Sequence, residues 1–351
     1  MLRRWLDVDA PDHTQPLVVL TSGSTGDAKR VELSASALRA SAAATLDRLG
    51  GPGQWVLALG AYHVAGVQVI VRSVLASTSP VLLDDHPDLA AATTALTGQR
   101  RYLAIVPTQL HRWLRVDSAV AALCDYDAVL VGGAAARPNL LDEARGRGVN
   151  VITTYGMSET CGGCVYDGVA LDGVALALGT AGQIRVAGPV LFDGYVDQPA
   201  LTGDVLRDGW LHTPDLGRFD EDGRLVVLGR ADDVIVSGGI KVALPAVEQR
   251  LAAMPGVAEV AVVGAPDEEW GMRVVAVVAT GSPAYDLDAV RDFVSDTLPR
   301  EWAPTRVVAL DRLPLLSSGK VDRQALLTRL GFGRPGPAQT PSTQSDEAGM
   351  G

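Results

Sequence analysis

A short apolar run from Pro16 to Ser22 reads as a strand, and it leads straight into Thr21-Ser22-Gly23-Ser24-Thr25-Gly26-Asp27-Ala28-Lys29. The two glycines let backbone N–H groups close on an anion. Four hydroxyls add donors, and the lysine adds charge. Together they make a cradle for a polyphosphate. Lys29 stands three residues beyond Gly26, so this is not the Walker pattern, in which lysine follows glycine directly. A plain Gly/Ser turn is the alternative; the strand before the loop and the lysine after it argue against that.

Lysine use sharpens the point. The chain has 30 basic residues, and only Lys29, Lys241 and Lys320 are lysines. Arginine has taken over general surface charge. Lysine persists where a compact, mobile ammonium matters, because the two side chains are not interchangeable there. Cys161-Gly162-Gly163-Cys164 has the spacing of a zinc or redox pair, but the only other cysteine is Cys124. Without a second pair, small residues lining a ligand pocket are the better reading.

Elements must position these groups. Ser34 to Leu49 has helical spacing, with Ser34 as N-cap. Strands are expected at Trp55–Gly60, Pro80–Leu83, Tyr102–Val106, Ala128–Val131 and Asn150–Thr154, and helices at His63–Ala76, Pro107–Leu114 and Leu140–Arg147. This alternation implies an α/β sheet with much parallel pairing. Residues 180–229 change texture to short strands separated by Asp-Gly turns, a β-rich subdomain. After Arg230-Ala231-Asp232-Asp233 a small α+β domain is expected, over residues 232–332. The large domain is then 1–231. Residues 333–351, rich in Pro, Ser, Thr, Gly and Gln, read as a disordered tail.

With 351 residues and a formal charge of −11, the chain has no electrostatic footprint for nucleic acid or an anionic membrane surface. Leu49 to Val71 carries no charge and is long enough to cross a bilayer. Its five glycines, Pro52, Gln54, His63 and Gln68 make it strand, loop and buried helix instead. No signal peptide is read, because the arginines at 3 and 4 precede no apolar stretch. A cytoplasmic protein with no membrane insertion is expected.

The phosphate loop resembles that of the adenylate-forming superfamily of acyl-CoA ligases, adenylation domains and luciferases. Further segments follow in the family's order: Tyr155-Gly156-Met157-Ser158-Glu159, Gly188-Pro189, Gly194-Tyr195 with Pro199, Thr213-Pro214-Asp215 and Gly229-Arg230-Ala231-Asp232-Asp233. Ser237-Gly238-Gly239-Ile240-Lys241-Val242, with Pro245 and Glu248, and Pro314-Leu315-Leu316-Ser317-Ser318-Gly319-Lys320 complete the set. All three lysines fall inside these motifs. Ala28 and Arg30 around the loop lysine, and Pro214 before Asp215, depart from the pattern without removing a charged group.

The resemblance implies a two-step reaction with ATP, Mg²⁺ and coenzyme A. A carboxylic acid becomes an acyl-AMP and then a thioester. It implies that Thr21, Ser22, Gly23, Ser24, Thr25, Gly26 and Lys29 hold phosphates, and that Ser158 donates to the α-phosphate. Gly132, Gly133 and Ala134 would wall the adenine, with Tyr155 and Gly156 against it. Asp215 and Arg230 would take the ribose, and Glu159 the Mg²⁺. Lys320 would be the catalytic cation and Asp232 the hinge of a mobile small domain. Gly238, Gly239 and Lys241 would form the CoA-side loop.

Among such enzymes the chain resembles the short, actinobacterial-type o-succinylbenzoate–CoA ligases of menaquinone biosynthesis. The match is carried by Tyr62-His63-Val64-Ala65-Gly66. It makes His63 a gate between acyl and thiol tunnels and turns Arg72 toward the substrate, with Gly162 and Gly163 lining the acyl pocket. A core histidine and a surface arginine are the bland alternatives. Family members carry roughly 150 further residues before the loop, a domain's worth. An open or small pocket, or one completed by a homodimer, is therefore expected. A stand-alone adenylation domain serving a carrier protein and a non-catalytic nucleotide-binding protein are the competing functions.

Overall fold

A computed structural model describes residues 6, 16–21, 29–257, 259–279, 285–314 and 321–332. The expected tail, most of the phosphate loop and Lys320 lie outside the described residues. The chain divides into two compact units, Met1–Asp233 and Val234–Gly351.

The first unit is organised by a seven-stranded sheet. Its order is Val81–Leu82, Gln54–Leu57, Arg101–Ile105, Ala128–Val131, Val151–Met157, Gly162–Tyr166, Val169–Ala170. The first five strands are parallel. The last two add antiparallel. Parallel strands need cover on both faces and read as unbroken apolar runs. Ala-Val-Leu-Val at 128–131 is buried at every position. Alternation sends Leu103, Ile105, Val129 and Val131 into one core with Leu110 and Leu123. Tyr102, Ala104 and Leu130 go to the other face with Trp55 and Val69.

The strand expected to stop at Thr154 runs on through Tyr155-Gly156-Met157. Gly162–Tyr166 folds back beside it and supplies the missing hydrogen bonds, with a register break between Tyr155 and Gly156. Cys161 (φ 50°) and Gly162 (φ 98°) make the reversal.

Ser34 caps the helix Ala35–Arg48 as expected, its Oγ accepting from the Ala37 N–H at 3.3 Å. The uncharged stretch resolves into the strand Gln54–Leu57 and the helix Val64–Leu75. No helix among the described residues is long and apolar enough to cross a membrane. Leu17–Thr21, Lys29–Leu33 and Gly194–Tyr195 form a small antiparallel sheet. Ala175–Leu178, Gln183–Ala187, Leu206–Arg207, Trp210–Phe219 and Leu225–Arg230 form a five-stranded antiparallel one.

The second unit is a five-stranded sheet with helices on both faces. Its strands are Val234–Ser237, Ile240–Ala243, Glu259–Asp267, Gly271–Ala279 and Arg306–Leu310. Val274, Ala276 and Val278 pack with residues of the helices Leu244–Ala252 and Leu287–Ser295. Val275, Val277 and Ala279 pack with Leu326 of the helix Arg323–Arg329.

Gly66 fixes where the helix Val64–Leu75 begins. A Cβ on this residue would overlap the Gly60 carbonyl and press on that of Leu59. Backbone cannot swing away as a side chain can, so overpacking of about 1–3 kcal/mol is expected for Gly66→Ala. Thermal unfolding of the variant should fall by roughly 2–12 °C for a unit of this size. An unchanged Tm would mean that helix and loop do not meet this closely.

Candidate active site

The parallel strands end together, and a cavity of about 100 Å³ opens beyond their carboxyl ends. That is where α/β sheets bind ligands. Leu59, Ile105, Val106, Gly132 and Gly133 line it from the strand ends, with Thr154 and Gly156. The helix Val64–Leu75 contributes Val64, Ala65, Gln68 and Arg72, and the returning strand contributes Gly162, Gly163 and Tyr166. The glycines are there for space. A Cβ on Gly132 would overlap the Thr154 side chain, and one on Gly156 the Gly162 carbonyl.

Arg72 is the unusual member. It is 3% exposed, so the surface-arginine reading is excluded. Its guanidinium lies 5.1 Å from the Trp55 ring centroid, and Nη2 donates to Tyr166 Oη at 3.3 Å. Among the described residues it forms no ion pair, and Nε has no partner. Burial pushes its pKa down, and the partial negative charge of Tyr166 opposes that. An arginine keeps its proton even so. A desolvated cation with no carboxylate of its own calls for an anionic ligand.

Gln68 stands one turn before Arg72 and is fully buried. Its amide N–H groups go to the carbonyls of Cys161 (2.7 Å) and Leu38 (3.3 Å), which fixes the side chain's orientation. Gln68, Thr154 and Tyr166 were not picked out from sequence. For Gln68 the available signal was its place one turn before Arg72 on a mostly apolar helix, since buried polar groups need partners.

Two further clusters belong to the same unit. Tyr155 Oη donates to Asp215 Oδ2 at 2.9 Å. Burial, and then the Asp215 charge, push the Tyr155 pKa up, so it remains a donor. Asp215 is paired in register with Arg230 on the neighbouring strand, so neither is the isolated turn or surface charge it could have been. In the second cluster Tyr195 Oη donates to Glu159 Oε1 at 2.7 Å, and Lys29 Nζ lies 5.0 Å from the same tyrosine's ring centroid. Burial, and then the Glu159 charge, hold the Tyr195 phenol protonated. Thr21 and Lys29 are register partners, with Thr21 Oγ1 on the Lys29 carbonyl at 3.4 Å. They bracket Ser22, Gly23, Ser24, Thr25 and Gly26, which lie outside the described residues.

Ser158 opens the 3₁₀ turn that carries Glu159. Gly133 takes φ 76° after its strand, and Ala134 is exposed beside it. His63 is exposed at the N-cap of the helix that bears Gln68 and Arg72, its ring 4.5 Å from that of Tyr62. It is therefore not a core histidine. Cys161 and Cys164 are buried, unbridged thiols that pack into separate cores and do not line the cavity. Burial pushes both thiols up, Cys164 to about 12. No metal-binding cluster of three or more His, Cys, Asp or Glu occurs among the described residues.

In the second unit Gly238 and Gly239 turn the hairpin with φ 55° and 83°, and Lys241 follows, exposed. Gly238 donates to the Trp270 carbonyl at 3.0 Å, and a Cβ there would overlap the Trp270 ring, which is 47% exposed. The Asp322 N–H donates to the Pro314 carbonyl at 2.8 Å, and Lys320, between them in sequence, lies outside the described residues. Arg323 is held by Glu248 at 2.9 Å, and the same carboxylate oxygen accepts from the Val262 N–H at 2.8 Å. Asp232 lies in the 3₁₀ turn Ala231–Asp233, where the first unit ends.

Comparison with known proteins agrees with this layout. The AMP-binding enzyme family matches residues 6–187, and the AMP-binding enzyme C-terminal domain matches residues 246–320. A probable 2-succinylbenzoate–CoA ligase of Mycobacterium tuberculosis is 46% identical over 327 residues, covering 91% of this chain and 85% of the relative. The o-succinylbenzoate CoA synthetase of Bacillus subtilis, solved with its acyl-adenylate intermediate, is 28% identical with a TM-score of 0.72. The match covers 91% of this chain and 69% of that one. The same synthetase with ATP and magnesium ion gives a TM-score of 0.70 at 27% identity, over 87% and 68% of the two chains. With the family's two domains matched in order, and with such identity over nine-tenths of its length, this chain belongs to the AMP-binding enzymes.

Proposed function

We propose that this protein is an AMP-forming acid–CoA ligase that activates o-succinylbenzoate, a step of menaquinone biosynthesis. The observation that carries the substrate is Arg72: a buried guanidinium on the cavity wall with no carboxylate partner among the described residues. An acid with two carboxylates can present one for activation and leave the other to this cation. The relatives' names support the same acid. The use of ATP and CoA as co-substrates supports a cytoplasmic location.

The reaction divides into two displacements. In the first, the substrate carboxylate attacks the α-phosphorus of ATP, and pyrophosphate leaves as acyl-AMP forms. Two anions must meet, so positioning and cation density dominate. The Thr21–Lys29 loop takes the β- and γ-phosphates, and Ser158 donates to the α-phosphate. Asp215, fixed by Tyr155, accepts from the ribose hydroxyls beside Arg230, and Gly132, Gly133 and Ala134 wall the adenine.

Glu159 is the carboxylate for Mg²⁺. One of its oxygens is fixed by Tyr195. The other oxygen would be open to Mg²⁺, a hard ion that would supply charge neutralisation for the phosphates. In the second displacement the CoA sulfur attacks the acyl carbonyl and AMP leaves. The family resemblance makes Asp232 the hinge between the two steps and Gly238, Gly239 and Lys241 the CoA-side loop of the second. The exposure of His63 at the helix start supports the role of gate to the thiol that the resemblance implies.

Pyrophosphate release and thioester formation across aryl, succinylaryl and fatty acids test the assignment. A clear preference for o-succinylbenzoate is expected. Preference for fatty or plain aryl acids would leave only the generic ligase. Transfer to a carrier protein but not to CoA would make it a stand-alone adenylation domain.

Lys320→Ala should slow acyl-AMP formation by roughly two to three decades, about 3–4 kcal/mol for a positioned cation at the transferring phosphorus. Conversion of supplied acyl-AMP to thioester should largely persist. Normal pyrophosphate release in this variant would remove Lys320 from the first step.

Arg72→Ala should cost o-succinylbenzoate about 2–5 kcal/mol in kcat/KM, because the substrate's second charge loses its buried partner. Benzoate should lose far less. Arg72→Lys should recover only part, since a point charge does not reproduce a planar fork. Equal losses for both acids would make Arg72 structural.

A further inference from the structure

Arg72 does not orient itself. Its only side-chain hydrogen bond among the described residues goes to Tyr166 Oη, and that oxygen lies 3.0 Å from Thr45 Oγ1. Distance alone does not say which hydroxyl donates to which. The next contact does. Thr45 Oγ1 lies 2.9 Å from the Ser41 carbonyl, which can only accept, so the single threonine proton is committed there. Tyr166 must then donate to Thr45 and turn its lone pairs toward Arg72.

The result is a one-way series: Arg72 Nη2–H to Tyr166 Oη, Tyr166 O–H to Thr45 Oγ1, Thr45 O–H to the Ser41 carbonyl. All four residues are at most 3% exposed, so water does not compete for these bonds. The series joins two helices to the strand Gly162–Tyr166, so the backbone fixes both its ends.

We propose that Tyr166, oriented by Thr45, is a positioning residue that directs the Arg72 guanidinium at the substrate's second carboxylate and so sets the preference for a diacid. This rests on the o-succinylbenzoate reading above. The chemistry of the partner matters. A carboxylate at position 166 would hold Arg72 but cancel its charge. A phenol whose proton is already committed holds the guanidinium through lone pairs and leaves a full positive charge for the ligand. Because that proton points at Thr45, Tyr166 also cannot compete with Arg72 for the substrate anion.

The test uses the full chain with o-succinylbenzoate and two monoacids that each keep one of its carboxylates, 4-oxo-4-phenylbutanoate and 2-butanoylbenzoate. For Tyr166→Phe, the kcat/KM preference for the diacid over the better monoacid should fall roughly 10- to 100-fold. That is the range expected when a charged group loses its hydrogen bond. The loss should lie in KM for the diacid, with kcat nearly retained and the monoacid little changed. Thr45→Val should shift the preference the same way by a smaller factor, and Thr45→Ser should restore it.

A preference unchanged in Tyr166→Phe, or equal losses for diacid and monoacid, would overturn the positioning role while leaving the ligase assignment intact. A wild-type enzyme indifferent to the second carboxylate would overturn both. If thermal unfolding shows that Tyr166→Phe is misfolded, the Thr45 pair decides: rescue by serine but not valine supports the series, and no difference between them rejects it.

Discussion

A guanidinium taken out of water without a carboxylate beside it is costly, and the packing around the cavity is arranged to bear that cost. Trp55 offers the face of its ring to Arg72, and Tyr166 offers an oxygen. Neither removes the charge. The helix Val64–Leu75 must then stay where it is, since a shift of half a turn would carry Arg72 away from both. Gly66 against the Gly60 carbonyl and the Gln68 amide on two backbone carbonyls hold that position. The energetic strain of one unmatched charge is thus spread over a helix start, a glycine contact and two aromatic rings. An anion in the cavity would relieve it.

The two tyrosine–carboxylate clusters use a different principle. There the charges are matched beforehand, with neutral tyrosines interposed. Tyr155 holds Asp215, and Tyr195 stands between Lys29 and Glu159. Each phenol is kept protonated by burial and by the carboxylate it serves. A tyrosine in this role fixes one carboxylate oxygen without neutralising the group, which leaves the charge free for the ribose hydroxyls and hard cation of the proposed reaction. The cavity and the two clusters therefore share one device, a committed phenol beside an ion that stays charged. Tyr166 does for a cation what Tyr155 and Tyr195 do for anions.

How much of this the sequence shows depends on how far apart the partners are. The Thr21–Lys29 loop is local, and its chemistry is legible because glycines, hydroxyls and lysine are contiguous. Ser34 was legible for the same reason: an N-cap acts three residues away. Arg72 is singled out by the resemblance, nine residues after His63. Its burial could not be read, because Trp55 and Tyr166 come from separate strands, and the Arg72–Tyr166 bond spans 94 positions. Thr45 and Tyr166 are 121 apart. Neither sits in a motif, and each alone reads as an ordinary core residue. The strand through Tyr155-Gly156-Met157 was missed because its partner folds back across a reversal at Cys161 and Gly162, and glycine-rich strands carry little β signal.

Those glycines show why a weak strand was kept. Gly132, Gly156, Gly162 and Gly163 line the cavity where strand ends and returning hairpin come together. Side chains at these positions would fill the space or force the strands apart. A Cβ on Gly163 would meet the Tyr166 ring at 3.0 Å, the ring whose oxygen orients Arg72. The segment is therefore poor in strand-forming residues because it must leave room for a ligand and stay close to the residue that aims the cation. Local propensity and site geometry conflict here, and the hairpin's pairing with Val151–Met157 settles the conflict in favour of the site.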